Sequence, residues 1–479
     1  MSGARCRAKD RKAAAGAQNA SEGSFAFGGG PRDSYCGMMR LHSGVWKRGG
    51  VRWGAAAGNC PGRGWGALLF TGVLGLSACA DSGGSKAVLE PVVRDSAGVR
   101  ILEFPAEVLE AEASFRLSDE PEVRLGVIDG DAALQFSTVE DALRTPEGDL
   151  VVLDARGATV RRFDSDGGLL GTFGVLGEGP GEFTAPTAIS QGPEGTLTVW
   201  DARTRRFSEF ESTGELLKEW SPFRDVGSGM ILAAHSTGPD EAAAVVESFP
   251  AGGSDGLHRP SAYIVRGSSG RVDTVSTLTG STVEMQTESG GDGMMMVMMR
   301  RDWYRPQLIA TGSSEGFWVA DGLRWEAEHH SLEGSTDRVL RVQVEPSAFG
   351  PEVRDRLLES SLEQASSDDQ RQSIRAAHRD RDYPELLPSI IDLFTDAEGR
   401  VWMGALDLVP RIHPSGVGRT AERWLIVDPE RERAEGILRM PPRSRPLHAD
   451  AEGVLLLILD EFDVPFVEWR PFVETPSEP

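Results

Sequence analysis

Several residue types are almost absent from most of this 479-residue chain. Cysteine stops at position 79, asparagine stops at position 59, and lysine occurs only twice after position 79. The residues concerned are Cys6, Cys36, Cys60, Cys79, Asn19, Asn59, Lys86 and Lys218. The body of the chain, residues 79–479, therefore cannot contain a disulfide framework or a cysteine-based zinc site. No site in the body can use an asparagine amide either.

Basic charge is also scarce in the body. Residues 1–78 carry 11 Lys and Arg against 3 Asp and Glu, whereas residues 79–479 carry 39 against 70, a net charge of −31. Nucleic acids and anionic lipids are bound largely through basic side chains, so we expect no nucleic-acid partner. The hydrophobic share of 39% is enough for a substantial core, which excludes global disorder.

The one long apolar run resembles a targeting signal. Residues 67–78 read ALLFTGVLGLSA, follow Arg63 and end in small residues. This run is shorter than the roughly 20 residues that a membrane span needs, but it fits the apolar region of a signal peptide. The sequence LSAC, ending at Cys79, resembles the lipobox of bacterial lipoproteins. That resemblance implies cleavage before Cys79 and attachment of a lipid to its thiol.

These signals divide the chain into four parts. We predict that residues 1–50 are a disordered leader or precede the true start of translation, and that residues 51–78 are the signal peptide. Residues 79–94 would be the lipidated cysteine and a flexible tether, and residues 95–479 the folded domain. The expected location is the bacterial cell envelope, with the lipid anchor on the periplasmic side of a membrane or at the cell surface.

The body contains internal repeats. Two segments that begin at Glu140 and Pro186 align at a constant offset of 47 residues. The aligned pairs are Gly148 with Gly195, Asp154 with Asp201, Phe163 with Phe210, and Gly167 with Gly214. Each segment reads as four short strands separated by Gly, Asp and Ser turns. The same turn-and-strand pattern recurs near Gly238, Gly316, Gly399 and Gly453, so we predict six units, each of which needs its neighbours to form a core.

The ends of the repeat region predict a closed ring. The last unit finishes with VEWRPF and is one strand short, whereas FRLSDEPEVRLG, which precedes the first unit, ends as an outer strand would. We therefore expect an N-terminal strand to complete the last unit, which would remove exposed sheet edges.

Two motifs resemble a known family. GVLGEGPGEFTAP, residues 174–186, resembles the motif between blades of NHL-type six-bladed β-propellers. DSAGVRILEF, residues 95–104, is similar to the opening of six-bladed propeller lipoproteins. The resemblance covers about residues 95–472 and implies an all-β fold of six four-stranded blades. Because propellers support many functions, it implies no particular activity.

The connections between the predicted strands differ sharply at the two ends of the ring. We label the four strands of a blade a to d in chain order. Because neighbouring strands run in opposite directions, the b–c and d–a connections share one rim, and the a–b and c–d turns share the other. The a–b and c–d turns are all short. The long connections all belong to the b–c and d–a rim and are 247–261, 280–302, 346–385 and 406–422. Long connections often carry function, so we predict that this rim is the working face. Segment 346–385, between blades 4 and 5, has a helical pattern and would be a lid, a partner surface or a solvated cap.

The rim connections supply a candidate binding set. It combines cations and aromatic rings in an acidic protein and consists of Arg300, Arg301, Trp303, Tyr304, Arg305 and His413. Such a set suits an anionic or carbohydrate ligand. The alternative is that the aromatic rings enter the core while the arginines pair with nearby acids. The methionines within residues 294–299 are soft ligands suited to Cu(I), but we expect a flexible apolar contact loop there.

The sequence favours binding over catalysis. No catalytic residue and no metal site can be assigned from motifs, and no cofactor is expected, although the abundant acids could hold Ca²⁺ on the rim. We predict a monomeric, membrane-tethered propeller that binds a protein, peptide or glycan. The alternative is a lactonase-like or lyase-like hydrolase with a metal site at the central channel. Lactonases of the gluconolactonase type use asparagine ligands, which this body lacks.

Overall fold

The structure is a computed structural model. It describes residues 90–192, 194–227, 229–249, 255–268, 270–289, 295–313, 315–363, 365–407 and 421–475. The predicted leader, the predicted signal peptide, Cys79 and His413 lie outside these ranges. In the part of the chain that is described, no helix is long and apolar enough to cross a membrane.

The described chain begins with four short strands. They are β1 (Val92–Ser96), β2 (Val99–Pro105), β3 (Phe115–Leu117) and β4 (Val123–Leu125), with a turn of 3-10 helix (Ala106–Leu109) after β2. β1 and β2 form an antiparallel hairpin. β1 starts inside segment 79–94, for which the sequence predicts a flexible tether, because its backbone pairs with β2.

Three four-stranded antiparallel sheets follow. Sheet I has the order β5-β6-β7-β8, sheet II β9-β10-β11-β12, and sheet III β13-β14-β16-β17. A second 3-10 helix (Ala132–Leu134) precedes sheet I. The strands of these sheets are β5 (Val139–Arg144), β6 (Leu150–Asp154), β7 (Thr159–Phe163), β8 (Leu169–Phe173), β9 (Pro186–Gln191), β10 (Leu197–Asp201), β11 (Arg206–Phe210), β12 (Leu216–Trp220), β13 (Gly229–Gly238), β14 (Glu241–Ser248), β16 (Ser261–Ser268) and β17 (Arg271–Thr279). A short strand outside these sheets, β15 (Gly256–His258), lies between β14 and β16 in the chain.

Three more sheets complete the ring. Sheet IV has the order β20-β21-β22-β23-β2-β1, sheet V β24-β25-β26-β27, and sheet VI β28-β29-β30 with β3 and β4 beside β30. The remaining elements are β18 (Val283–Ser289), β19 (Met295–Arg300), β20 (Ile309–Gly312), β21 (Gly316–Ala320), β22 (Glu326–Ser331), β23 (Thr336–Gln343), α1 (Pro351–Glu363), α2 (Asp368–Asp380), β24 (Ile390–Thr395), β25 (Val401–Ala405), β26 (Arg423–Asp428), β27 (Arg433–Arg439), β28 (Ser444–Ala449), β29 (Gly453–Leu459) and β30 (Pro465–Glu474).

The second strand of a sheet is buried on both faces. All five residues of β6 are buried, and the same is true of β10, β21 and β25. In β6, Val151 and Leu153 pack against sheet II, whereas Leu150 and Val152 pack against sheet VI. Successive side chains of a strand point to opposite faces, so one strand contributes to two interfaces. This explains the continuous apolar runs at these positions.

Six clusters of buried apolar side chains join the sheets, one for each successive pair. Sheets I and II meet around Phe183 and Phe210, and sheets II and III around Trp200 and Phe223. The other pairs meet at equivalent clusters, and the cluster between sheets VI and I closes the circle. The inner strands β5 and β9 also contact each other, as do β28 and β5. A ring of antiparallel sheets packed face to face is the arrangement of a β-propeller.

The N-terminal strands run along the outside of this ring. β2 pairs in parallel with β23 of sheet IV. The Ala113 N–H then donates to the Ile437 carbonyl of sheet V at 3.0 Å. Finally β4 pairs with β30 of sheet VI, with Leu125 opposite Val467. Residues 92–125 therefore cover three outer edges, whereas the sequence predicts only the last of these pairings.

The Asp residues of the repeats hold loops together. Asp154 accepts hydrogen bonds from the backbone N–H groups of Ser137, Thr138 and Gly157 at 2.9–3.2 Å. Asp201 does the same for four N–H groups of the next unit, at 184, 185, 203 and 204. Each carboxylate joins the connection before a sheet to the connection within it, which makes the rim of sheets I and II rigid.

We expect the N-terminal strands to contribute strongly to stability. Leu125 is only 3% exposed and packs between sheets VI and I, so Leu125→Ala should lower the free energy of unfolding by about 2–5 kcal/mol through lost packing and a cavity. The matched control is Leu169→Ala on β8, because Leu169 is 41% exposed. Chemical unfolding of both variants checks this, and equal stability losses would contradict it.

Candidate functional site

At one rim of the ring, the connections between strands form a second layer. We define the rim layer as the described residues within 255–258, 280–308 and 346–389. β15 pairs with β18, and β18 pairs with β19, so two separate connections share one small antiparallel sheet. The two helices follow sheet IV and lie within 346–389. The rim for which the sequence predicts long connections is therefore the rim that carries this layer.

The methionine-rich segment is a strand. Met295–Arg300 is β19, and its register places Met298 opposite Gln286 and Met299 opposite Met285. This corrects the expectation of a flexible apolar contact loop over residues 294–299, because the backbone groups of β19 pair with those of β18. Met294 lies outside the described residues.

A buried ion pair ties the rim layer to sheet III. Arg301 is salt-bridged to Glu247, the penultimate residue of β14, whose side chain is 2% exposed. The other carboxylate oxygen of Glu247 accepts from the Ser281 N–H. Burial lowers the pKa of Arg301, and Glu247 opposes this shift. Removing one partner of such a pair leaves an uncompensated buried charge, so the two groups depend on each other.

The other two arginines of the candidate set are paired as well. Arg300 is salt-bridged to Glu284 on β18, and its Nε lies 3.0 Å from Asp302. Arg305 is buried, lies 3.6 Å from Asp302, and donates to the Asp382 carbonyl after α2. The cations therefore connect the β18–β19 hairpin to the helical segment.

The two aromatic residues of the set anchor the helices. Tyr304 is buried in a cluster with Phe349, Val353 of α1 and Leu387, and Trp303 packs against the same cluster. The ring of Tyr304 lies 5.5 Å from Phe349 and 5.7 Å from Tyr383. Burial raises the pKa of Tyr304. The rings enter a small core that they share with the helical segment, and the arginines pair with acids.

A buried histidine links the two helices. The Tyr383 hydroxyl lies 2.6 Å from His378 Nδ1, and His378 Nε2 lies 3.3 Å from the Ser361 hydroxyl. Ser361 in turn donates to the Leu357 carbonyl at 2.8 Å. In this geometry the Ser361 hydroxyl donates to a backbone carbonyl, and the imidazole of His378 lies between the Ser361 and Tyr383 hydroxyls. Its role is to hold α1 against α2.

The outer face of α1 forms a shallow groove of about 500 Å³. Two leucines, Leu358 and Leu362, form its apolar part. Acidic residues occupy three successive turns beside them, at Asp355, Glu359 and Glu363. Residues spaced by four lie on one helix face, so the groove has an aliphatic floor and an acidic wall.

Most of the partners in this layer carry no signal in the local sequence. Glu247, Glu284, Asp382 and Tyr383 are far from residues 300–305 in the chain, and no local pattern marks them. Asp302 is predictable as a partner, because it lies among the arginines that it neutralises. In the part of the chain that is described, no group of three or more His, Cys, Asp or Glu side chains is arranged to hold a metal ion.

Comparisons with known proteins add a limited likeness to solved structures. No protein-family model matches the chain, and no curated protein matches it. A putative exported protein from Bacteroides fragilis is 10% identical with a TM-score of 0.40, and the match covers 78% of this chain and 100% of that one. Virginiamycin B lyase from Staphylococcus aureus is 9% identical with a TM-score of 0.36, and the match covers 75% and 100%.

A third solved structure is regucalcin from Agrobacterium tumefaciens, described as a calcium-binding protein. It is 10% identical with a TM-score of 0.33, and the match covers 79% of this chain and 99% of that one. Similarity at these values assigns neither an activity nor a ligand to the chain, so the site has to be interpreted from its own geometry.

The link between the helices should depend on pH. Burial and the Arg381 cation lower the pKa of His378 below its ordinary value of 6.5. The unfolded chain therefore takes up a proton near pH 6.5 while the folded one does not, so stability present above pH 6.5 is lost as the pH falls. His235, whose pKa burial lowers to about 4, and His448 act in the same direction.

We expect His378→Gln to lose less stability than the parent protein between about pH 7.5 and about pH 5.5. The measurement is the free energy of unfolding of both proteins at each pH. The parent and the variant share His235 and His448, which makes the difference specific to position 378. An identical loss in both proteins would contradict the assignment.

Proposed function

We propose that the protein is a membrane-tethered, monomeric β-propeller that binds a protein or peptide through its rim layer, and that it has no nucleic-acid partner. The observation that carries this proposal is the asymmetry of the two rims. One rim supports an ordered layer with buried ion pairs and its own aromatic cluster. The turns of the opposite rim, such as 145–149 and 164–168, are closed by their own backbone hydrogen bonds.

In this proposal each of the six sheets is one blade. β1 and β2 are accessory strands on the fourth blade, and β4 completes the sixth blade as the ring-closing strand. The helices α1 and α2 are an insertion between blades 4 and 5. This interpretation is supported by the six interfaces between successive sheets.

The groove on α1 is the proposed contact surface. Its aliphatic floor and acidic wall suit a segment that presents aliphatic and basic side chains, which favours a protein or peptide over a glycan. The predicted set at residues 300–305 gives less support to an anionic ligand. Such a ligand would have to displace Glu284, Asp302 or Glu247 from the arginines.

The alternative function is that of a metal-dependent hydrolase or lyase at the central channel, and calcium is the cofactor considered for the rim. The described residues supply no ligand cluster that would favour either. We therefore place binding first.

A charge reversal on α1 tests the binding proposal. Asp355→Arg with Glu359→Arg should lower recovery of a crosslinked membrane partner by about tenfold, because the acidic wall becomes basic. The matched control is Glu147→Arg with Glu333→Arg, which changes the charge equally at two exposed turns of the opposite rim. Quantitative mass spectrometry after crosslinking in native membranes measures recovery. Equal recovery from the α1 variant and its control would refute the proposal.

The tether is tested separately. If Cys79 carries a lipid, Cys79→Ser should move the protein from the membrane fraction to the soluble fraction of the cell envelope, because the acyl chains supply the membrane affinity. Fractionation with detection by antibody measures the distribution. Continued retention in the membrane fraction would show that the anchor is not at Cys79.

A further inference from the structure

The outermost strands of the six sheets differ in how their free edges are protected. Natural sheets protect such edges with charged residues or by covering them. Five of the six follow this rule, through charged residues on β1, β3 and β4, β12, β17 and β27. β27 is in addition covered by residues 111–113. β8, the outermost strand of sheet I, carries no charged residue, and no described strand pairs with its outer edge.

β8 is instead apolar and open to solvent. Its sequence is LLGTF, and the whole stretch 167–177 contains no charged residue. Leu169 and Leu170 point to opposite faces of the strand, yet they are 41% and 54% exposed. Val175 and Leu176, just after the strand, are also exposed. Within the described ranges, the edge and its surroundings therefore form an exposed apolar surface beside backbone groups that no other strand pairs with.

The strand is also held firmly in place. Phe173, at its end, packs against Phe210 of sheet II with the two rings tilted and their centroids 4.7 Å apart. β7 pairs with β8 along its length. At Gly171 a side chain would meet no atom within 4 Å, so there is open space beside the middle of the strand. A rigid, accessible edge is what strand addition by a partner requires.

We propose that β8 is a docking edge for an extended segment of a partner protein, which adds as a fifth strand to sheet I. The exposed acids Asp166 and Glu178 lie before and after the uncharged stretch. The segment that fits is therefore apolar or neutral in its middle and basic at its ends. A second copy of this chain fits less well, because its body also carries a net charge of −31. This surface is separate from the rim layer.

A designed peptide tests the proposal on the full chain. The probe is a fluorescent, capped peptide Lys-Val-Thr-Val-Thr-Val-Lys, and fluorescence anisotropy measures its binding. Leu170→Lys should weaken binding about tenfold or more, because it places a buried charge at the new interface. The matched control is Leu217→Lys on β12, where Leu217 is 46% exposed on an edge that already has Lys218. Leu217→Lys should bind like the parent.

Further readouts separate strand addition from other causes. Hydrogen exchange should slow at β8 when the peptide is added, and a peptide with proline in place of the central valine should not bind, because it cannot continue the ladder. Absence of binding at about 1 mM peptide, equal binding by both lysine variants, or equal binding of the proline peptide would each overturn the proposal. Self-association that Leu170→Lys abolishes would identify a second copy as the occupant and would overturn it too.

Discussion

The structure depends on one constraint, that the second strand of each sheet must bury both of its faces. Exposing either face to solvent is unfavourable, because apolar side chains lie on both faces of β6, for example Val151 on one and Val152 on the other. Each sheet therefore needs a neighbour on either side, and only a closed ring provides this for all of them. The pairing of β4 with β30 makes the last interface equivalent to the others, which is why the N-terminal strands matter to the whole ring.

The rim layer depends on the ring but is fastened by a different kind of interaction. Glu247, the penultimate residue of β14, is salt-bridged to Arg301, so this ion pair fastens the connection between sheets III and IV to sheet III. Tyr304 packs in a small apolar cluster with residues of the helical segment and so anchors that segment to the rim. An ion pair therefore joins the rim layer to sheet III, and α1 keeps an exposed face. Binding at α1 and strand addition at β8 would use two separate surfaces, one on the rim layer and one on the outer edge of sheet I.

Features that depend on local interactions can be predicted from the sequence, whereas pairings between distant segments cannot. The constant offset between Gly148 and Gly195 locates strands and turns, because turn chemistry is local. The helical pattern of 346–385 likewise predicts segments that form α1 and α2. The parallel pairing of β2 with β23 and the hairpin of β18 and β19 leave no comparable local mark. The arginines at residues 300–305 show the same limit, since Glu247 lies more than fifty residues earlier in the chain.

The sequence by itself determined the repeats, the all-β character, the acidic body and the position of the long connections. These features depend on residue type and on spacing over a few residues. Only the tertiary structure decided that the candidate arginines are neutralised, that residues 92–125 cover three sheet edges, and that no other described strand pairs with the outer edge of β8. The physical reason is that charge pairing and edge protection depend on which distant segments lie side by side, and no local spacing encodes that contact.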